Sequence, residues 1–396
     1  MRKLNRNRSL LVAAMAVGLL GSAVNVSQAE EEVVIGVVQA LSGPGSVLSP
    51  PVIQAAELAA EEVNAAGGIL GKKLRLEFGD DGTDARIAER AWDSLINQKG
   101  ADFIISMETA AGRDAGLTVA LKSNTPVVYT SLAEGEVCHP VFYSNAEVPN
   151  QQTEPLVKHL SSKEGAKTWF LVGSDYLWPK KSFEFAKAAI TAAGGEIVGE
   201  EYSPIGTTDW APVVSKLRRA MPDAILLAIA GGADNVSFVK QKNASGSPAI
   251  VASLDIEEGV LTALGADGEG IYVPASYFST IDTPENQKFI AALKAKFGDK
   301  FVTPTFFSAP TYDAVHQFAL AATAAGGLES GSVLKALSEV SFTGARGEVK
   351  MTTDRHASLP IYLGKGRSDG TFDIVESFGS IDASQQCAEP PAFGVK

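Results

Sequence analysis

The stretch VVIGVVQALSGPGSVLSPPVIQAAELAAEEVNAAGGILGKKLRLEFGD, residues 33–80, decides the fold. Val33 to Val38 is apolar and β-branched with no polar alternation, which predicts a strand buried on both faces. The turn Ser42-Gly43-Pro44-Gly45 breaks it. From Val52 to Ala65 the period changes, with Leu58, Ala59, Glu62 and Val63 stacking at helical spacing. Lys73 to Asp80 then alternates like a strand. Working outward, Arg86 to Asn97 reads as a helix, Phe103 to Ser106 as a strand, Asp114 to Lys122 as a helix and Pro126 to Tyr129 as a strand. This order predicts a parallel sheet with helices on both faces.

A second series follows Asn150. It runs helix to Lys163, strand Thr168 to Gly173, helix Ser182 to Ala193, strand Glu196 to Tyr202, helix Trp210 to Ala220 and strand Ala224 to Ile229. Helix Asn235 to Gln241 and strands Ala249 to Ser253 and Gly270 to Val273 complete it. The chain thus reads as α/β with two doubly wound parallel-sheet lobes. Three helical patterns come next, Glu285 to Phe297, Pro310 to Ala325 and Ser332 to Val340. Strands near Gly347 to Met351, Ile361 to Lys365 and Phe372 to Phe378 end the chain. These are too few for a third sheet domain, so the helices are expected to return to the first lobe and the strands to the second, with crossover strands between them as a hinge. The expected N-terminal lobe comprises residues 30–148 and 277–349, and the C-terminal lobe 149–276 and 350–396.

Arg2, Lys3, Arg6 and Arg8 precede an apolar stretch from Leu10 to Leu20 and small residues up to Ala29, the pattern of a secretory signal peptide cleaved after Ala29. The stretch falls short of the roughly 20 residues that cross a bilayer. Four of the 34 basic residues and none of the 46 acidic ones lie in this leader, so the remainder is more acidic than the net −12 of the whole chain. Acidity argues against nucleic acid or an anionic lipid surface as partner. The residues after Ala29 exceed the size, about 250 to 300, at which one core stops growing. In the oxidising compartment that a leader implies, the pair Cys138 and Cys387 suggests one disulfide, the alternative being two free thiols. His139, His159, His316 and His356 are scattered without metal-ligand spacing.

Enzymatic signatures are missing. The turn at Ser42 to Gly45 lacks the third glycine of a dinucleotide fingerprint, and Gly67 to Lys72 is one residue short of a phosphate loop and follows a helix where such a loop precedes one. There is no nucleophile elbow and no H-E-x-x-H. Asp80-Asp81 and Glu257-Glu258 read most simply as strand-end and helix-start charges. No catalytic residue, metal or cofactor is expected.

Several motifs carry a resemblance. They are Ile35-Gly36-Val37 with Leu41-Ser42-Gly43, Ala56 to Asn64 closing on Ala66 to Lys72, Val141-Phe142-Tyr143, Pro149-Asn150-Gln151-Gln152, Gly173 to Pro179 and Gly194 to Tyr202. From Val33 to about Phe378 the chain resembles the type I periplasmic solute-binding proteins of ABC importers, of the leucine-binding and amide/urea branch. The resemblance implies a monomeric Venus flytrap that captures an amino acid or an amide/urea-like solute and docks on a membrane permease; the same fold also serves ligand sensing. It implies a site formed by Leu48, Thr109, Ala110, Tyr129, Thr130 and Ser131 on the first lobe and by Tyr176, Ala230 and Asp255 on the second. Ala110 stands where many relatives have a serine that helps hold a carboxylate or amide oxygen, and Leu48 where some have an aromatic. Asp255 falls where amino-acid binders place the acid that meets an ammonium, its alternative role being a helix cap. Trp178 and Trp210 either stack on ligand or pack in the core.

Overall fold

A computed structural model describes residues 32–383 and 385–395. The expected leader, 1–29, lies outside the described residues. The first lobe begins β1 (Val33–Gln39), α1 (Ser49–Ala65), β2 (Leu74–Asp80), α2 (Ala85–Asp93), β3 (Phe103–Met107), α3 (Ala110–Ser123), β4 (Val127–Tyr129) and β5 (Phe142–Ser144). Its sheet has the order β2-β1-β3-β4-β5, with every neighbouring pair parallel. Every residue of β1 is buried, as an apolar run without alternation requires.

The second lobe continues with α4 (Pro149–Lys163), β6 (Thr168–Ser174), α5 (Leu177–Ala192), β7 (Glu196–Ser203), α6 (Ala211–Ala220), β8 (Ala224–Ala228), α7 (Gly232–Ala244), β9 (Ile250–Ser253), α8 (Glu258–Leu264) and β10 (Tyr272–Ala275). Then come α9 (Pro284–Phe297), α10 (Ser308–Ala325), α11 (Ser330–Leu337), β11 (Ser341–Gly344), β12 (Gly347–Met351), β13 (Ala357–Gly366) and β14 (Phe372–Ile381). The second sheet runs β7-β6-β8-β9-β10 in parallel, and β13 adds to β10 antiparallel, with β14 and β12 both on β13.

Helix α10 packs along α1, with Phe318 stacked on Phe103 of β3 at 4.2 Å, so the helices complete the first lobe. The strands β13 and β14 complete the second. The connections β5 to α4, β10 to α9 and the β11–β13 segment are the crossovers. They share one buried polar network. Ser276 N donates to Glu147 Oε1 (2.5 Å), Arg346 Nη1 to Ser276 Oγ (3.1 Å) and Arg346 Nε to Asp313 Oδ2 (2.6 Å).

The Pro149 to Gln152 motif has a structural task here. Gln151 Nε2 donates to the carbonyls of Ala357 and Ile381, and Gln152 Nε2 to those of Leu254 and Pro274, which fixes the start of α4 to the second sheet. Four elements differ most from the sequence reading. Helix α3 starts at Ala110 rather than Asp114 because Thr109 caps it, accepting from Gly112 N. Helix α2 widens at Ser94–Gln98 into a π turn. Strand β5 and helix α8 are too short for a periodicity to register.

Cys138 and Cys387 are joined, with Cα atoms 5.8 Å apart, pinning the C-terminal segment beside the loop before β5. Mass spectrometry of non-reduced peptides is expected to recover this pair cross-linked; two alkylatable thiols would overturn it.

Candidate functional site

The crevice of an open α/β sheet lies beyond the carboxyl ends of its strands. In this chain both sheets turn those ends toward one cavity of about 70 Å³. The segment after β1 contributes Ala40, Pro44, Gly45 and Leu48, and the segment after β2 contributes Asp81 and Thr83. The end of β3 and the residues after it give Met107, Glu108 and Thr109; Tyr129 ends β4, with Ser131 and Leu132 beyond; Phe307 stands just before α10. From the second lobe come Tyr176 and Trp178 after β6, Ile205 after β7, Ala230 and Gly231 after β8, and Asp255 after β9.

The lobes meet around this cavity. Lys181 of α5 lies 3.8 Å from Glu136 of the first lobe. A Cβ on Gly232 would come 2.7 Å from Val47 Cγ2, so the start of α7 and the segment after β1 approach closely. Of the residues named from sequence, Leu48, Thr109, Tyr129, Ser131, Tyr176, Ala230 and Asp255 line the cavity, and Thr130 and Ala110 do not. Thr130 is buried with its Oγ1 3.1 Å from Thr311 Oγ1 of α10, so it serves the first lobe's core. Ala110 is tucked into the first turn of α3. Trp178 is on the wall, whereas Trp210 packs edge-on to Phe238 and donates Nε1 to Ser237 Oγ in the core. Sequence reasoning missed Asp81, read as a strand-end charge, although its place directly after a strand was the available signal. Phe307 and Ile205 carried none.

Tyr129 is held from both sides. Its hydroxyl donates to the Glu108 carbonyl (2.5 Å), and the Arg113 guanidinium lies 5.1 Å from its ring centre. Arg113 is buried and neutralised by Glu134, which takes Nη1 at 2.8 Å and also Nη2. Glu108 Oε1 accepts from Trp92 Nε1 (2.8 Å) and Ser106 Oγ (2.6 Å), but Oε2 has no hydrogen-bond partner. Burial first, and the Asp81 charge second, push its carboxyl up to about 8. Burial likewise pushes Asp81 up to about 6.

Across the cavity, Asp255 accepts from Asn235 Nδ2 and Ser253 Oγ, both at 3.2 Å, and burial pushes it up to about 8. It caps no helix. Glu257 caps α8, accepting from Gly259 N (2.7 Å) and Val260 N (2.8 Å), which corrects the helix-cap alternative for Asp255. The Tyr176 hydroxyl is raised well above its usual range, by burial first and then by Tyr129 and Asp255.

These carboxyls bear on stability. A buried acid whose folded pKa lies above its unfolded value of about 4 binds more protons when folded, so stability falls as pH rises through the folded pKa. Asp81, Glu108, Asp255 and Glu258, the last also pushed by burial to about 8, all act this way. His139 and His356, held neutral by burial, pull the other way only up to about pH 6.5. The melting temperature of ligand-free protein is therefore expected to fall between about pH 6.5 and 8. A rise over that window would show that the cavity carboxyls are ionised.

A family model described as periplasmic binding protein matches residues 32–371. The chain belongs to the periplasmic binding protein family. Among curated relatives of this periplasmic binding protein is the Leu/Ile/Val-binding protein homolog 6 of Brucella melitensis, 25% identical over 289 residues, covering 70% of this chain and 74% of the relative. A solute-binding protein of an R. palustris ABC transporter, solved in complex with benzoate, superposes with a TM-score of 0.82 at 20% identity, covering 90% of this chain and 99% of that one. The branched-chain amino acid transporter substrate-binding protein of Streptococcus pneumoniae, solved with isoleucine, gives a TM-score of 0.80 at 22% identity, covering 88% and 100%. At such identities the likeness of the solved structures establishes the two-lobed architecture of this periplasmic binding protein.

Proposed function

We propose that this protein is the substrate-binding component of an ABC-type importer, exported to the periplasm by its leader, that captures a small polar solute between its lobes and performs no chemistry on it. One observation carries the reading: a single cavity is walled by the strand ends of both lobes, so a solute inside it favours closure about the crossovers. Of the solute classes the resemblance allows, amino acids and amide- or urea-like compounds, the buried Asp255 favours one that brings an ammonium, because a carboxylate buried without a cation or a dense set of donors is costly.

A thermal-shift screen over amino acids, amides, urea, amines and small aromatic acids identifies the class, since a ligand that binds only the folded state raises its melting temperature. X-ray scattering with and without the hit is then expected to show a smaller radius of gyration on binding. An unchanged radius would count against capture by closure.

A further inference from the structure

Among the described residues, three acidic residues line the cavity, Asp81 and Glu108 from the first lobe and Asp255 from the second, and no lysine, arginine or histidine does. The three residues are 2, 5 and 8% exposed. Glu108 Oε2 has no hydrogen-bond partner. Arg113, behind Tyr129, is not on the cavity wall and is paired with Glu134. Much of the remaining wall is aromatic, from Tyr129, Tyr176, Trp178 and Phe307.

We infer, granting the solute-capture reading on which this rests, that the ligand is an organic ammonium ion that carries no carboxylate. An ammonium brought among these groups finds a carboxyl on either wall and ring faces whose quadrupoles attract it. A ligand carboxylate finds the reverse. It would be buried among like-charged or neutral carboxyls with no cation to pair with, and burying an unpaired anion is among the costliest steps available to a protein. Ala110 has no hydroxyl and Thr130 Oγ1 is directed to Thr311, so a ligand carboxylate would meet only the neutral hydroxyls of residues such as Ser131 and Thr109. Trp178, also on the wall, leaves Nε1 without a partner, so one neutral acceptor on the ligand, a hydroxyl or an amide oxygen, completes the match. Among the described residues no group of three or more His, Cys, Asp or Glu is placed to hold a metal ion, which directs the inference to an organic cation.

The test compares probes that share a skeleton and differ in charge. One set is isopentylamine, leucine, isovalerate and isovaleramide; another is phenethylamine, tyramine, phenylalanine and 3-phenylpropionate; 5-aminovaleramide adds an amine with an amide oxygen. Thermal shift and calorimetry are expected to show at least one amine binding about tenfold or more tighter than the amino acid of its skeleton, with no response to the carboxylates. Asp255→Asn should lose the amine response while keeping the parent's circular dichroism; if that variant does not fold, Glu108→Gln provides the same readout. An amino acid or carboxylate that binds as tightly as its matched amine overturns the inference, and so does silence from every amine at about 10 mM. The two readings fail separately. A carboxylate that binds and contracts the protein removes the charge class and leaves solute capture standing, whereas no response to any probe or any compound of the wider screen removes both.

Discussion

Asparagine in place of Asp255 is expected to weaken ligand binding by about 2 to 4 kcal/mol, roughly 30- to 1,000-fold, within the range for breaking a buried charge pair. The side chain keeps its size and its bonds to Asn235 and Ser253 have amide counterparts, so the loss is mainly that of charge. Tyr176→Phe should cost less, about 1 kcal/mol, because one neutral hydrogen bond disappears while the ring stays against Trp178, 6.2 Å away between centres. Calorimetry on both variants separates the roles. If Asp255→Asn binds like the parent while Tyr176→Phe loses affinity, the ligand is a neutral amide or an anion and Asp255 is a bystander.

The second large effect lies at the crossovers. Arg346 and Asp313 are both fully buried and paired at 2.6 Å, and Arg346 also reaches Ser276, whose N–H meets Glu147. Burial raises the Asp313 carboxyl even against the guanidinium, so without Arg346 the group would stand as an unpaired buried acid. Arg346→Met is therefore expected to destabilise the fold by about 3 to 5 kcal/mol in denaturant unfolding. Replacing Asp313 by leucine in the same chain should restore most of that loss, since an apolar pair of similar volume often matches a buried ion pair. Losses that simply add in the double variant would show that the two side chains act independently.

Much of the architecture was legible because the chain repeats one unit whose signals are local. A short apolar run without polar alternation, such as Val33 to Val38 or Ala224 to Ile229, reads as a doubly buried strand when a turn and a helical period follow it, as they do in both places. The family resemblance supplied Tyr129, Tyr176, Ala230 and Asp255 as site candidates, and each lines the cavity at or within two residues of the carboxyl end of a strand, where an open α/β sheet places its crevice. Side-chain direction was not legible. Thr130 and Ser131 are neighbours on one turn, yet only Ser131 reaches the cavity, because Thr311 of α10, nearly two hundred residues later, takes the Thr130 hydroxyl. The role of Glu108 was hidden for the same reason. Its partners Trp92 and Ser106 come from two different elements, and nothing in the local sequence announces that one carboxylate oxygen is left over.

Hydrogen exchange with and without a bound ligand tests the central claim most directly, that solute is held between the two lobes. Slowed exchange is expected in the segments that wall the cavity on both sides: Ala40 to Leu48, Asp81 to Thr83, Met107 to Thr109 and Tyr129 to Leu132 of the first lobe, with Tyr176 to Trp178, Ala230 to Gly231 and the backbone around Asp255 of the second. Protection confined to one lobe, or centred on the outer groove between α4 and α5 at Lys158 and Ala189, would contradict it.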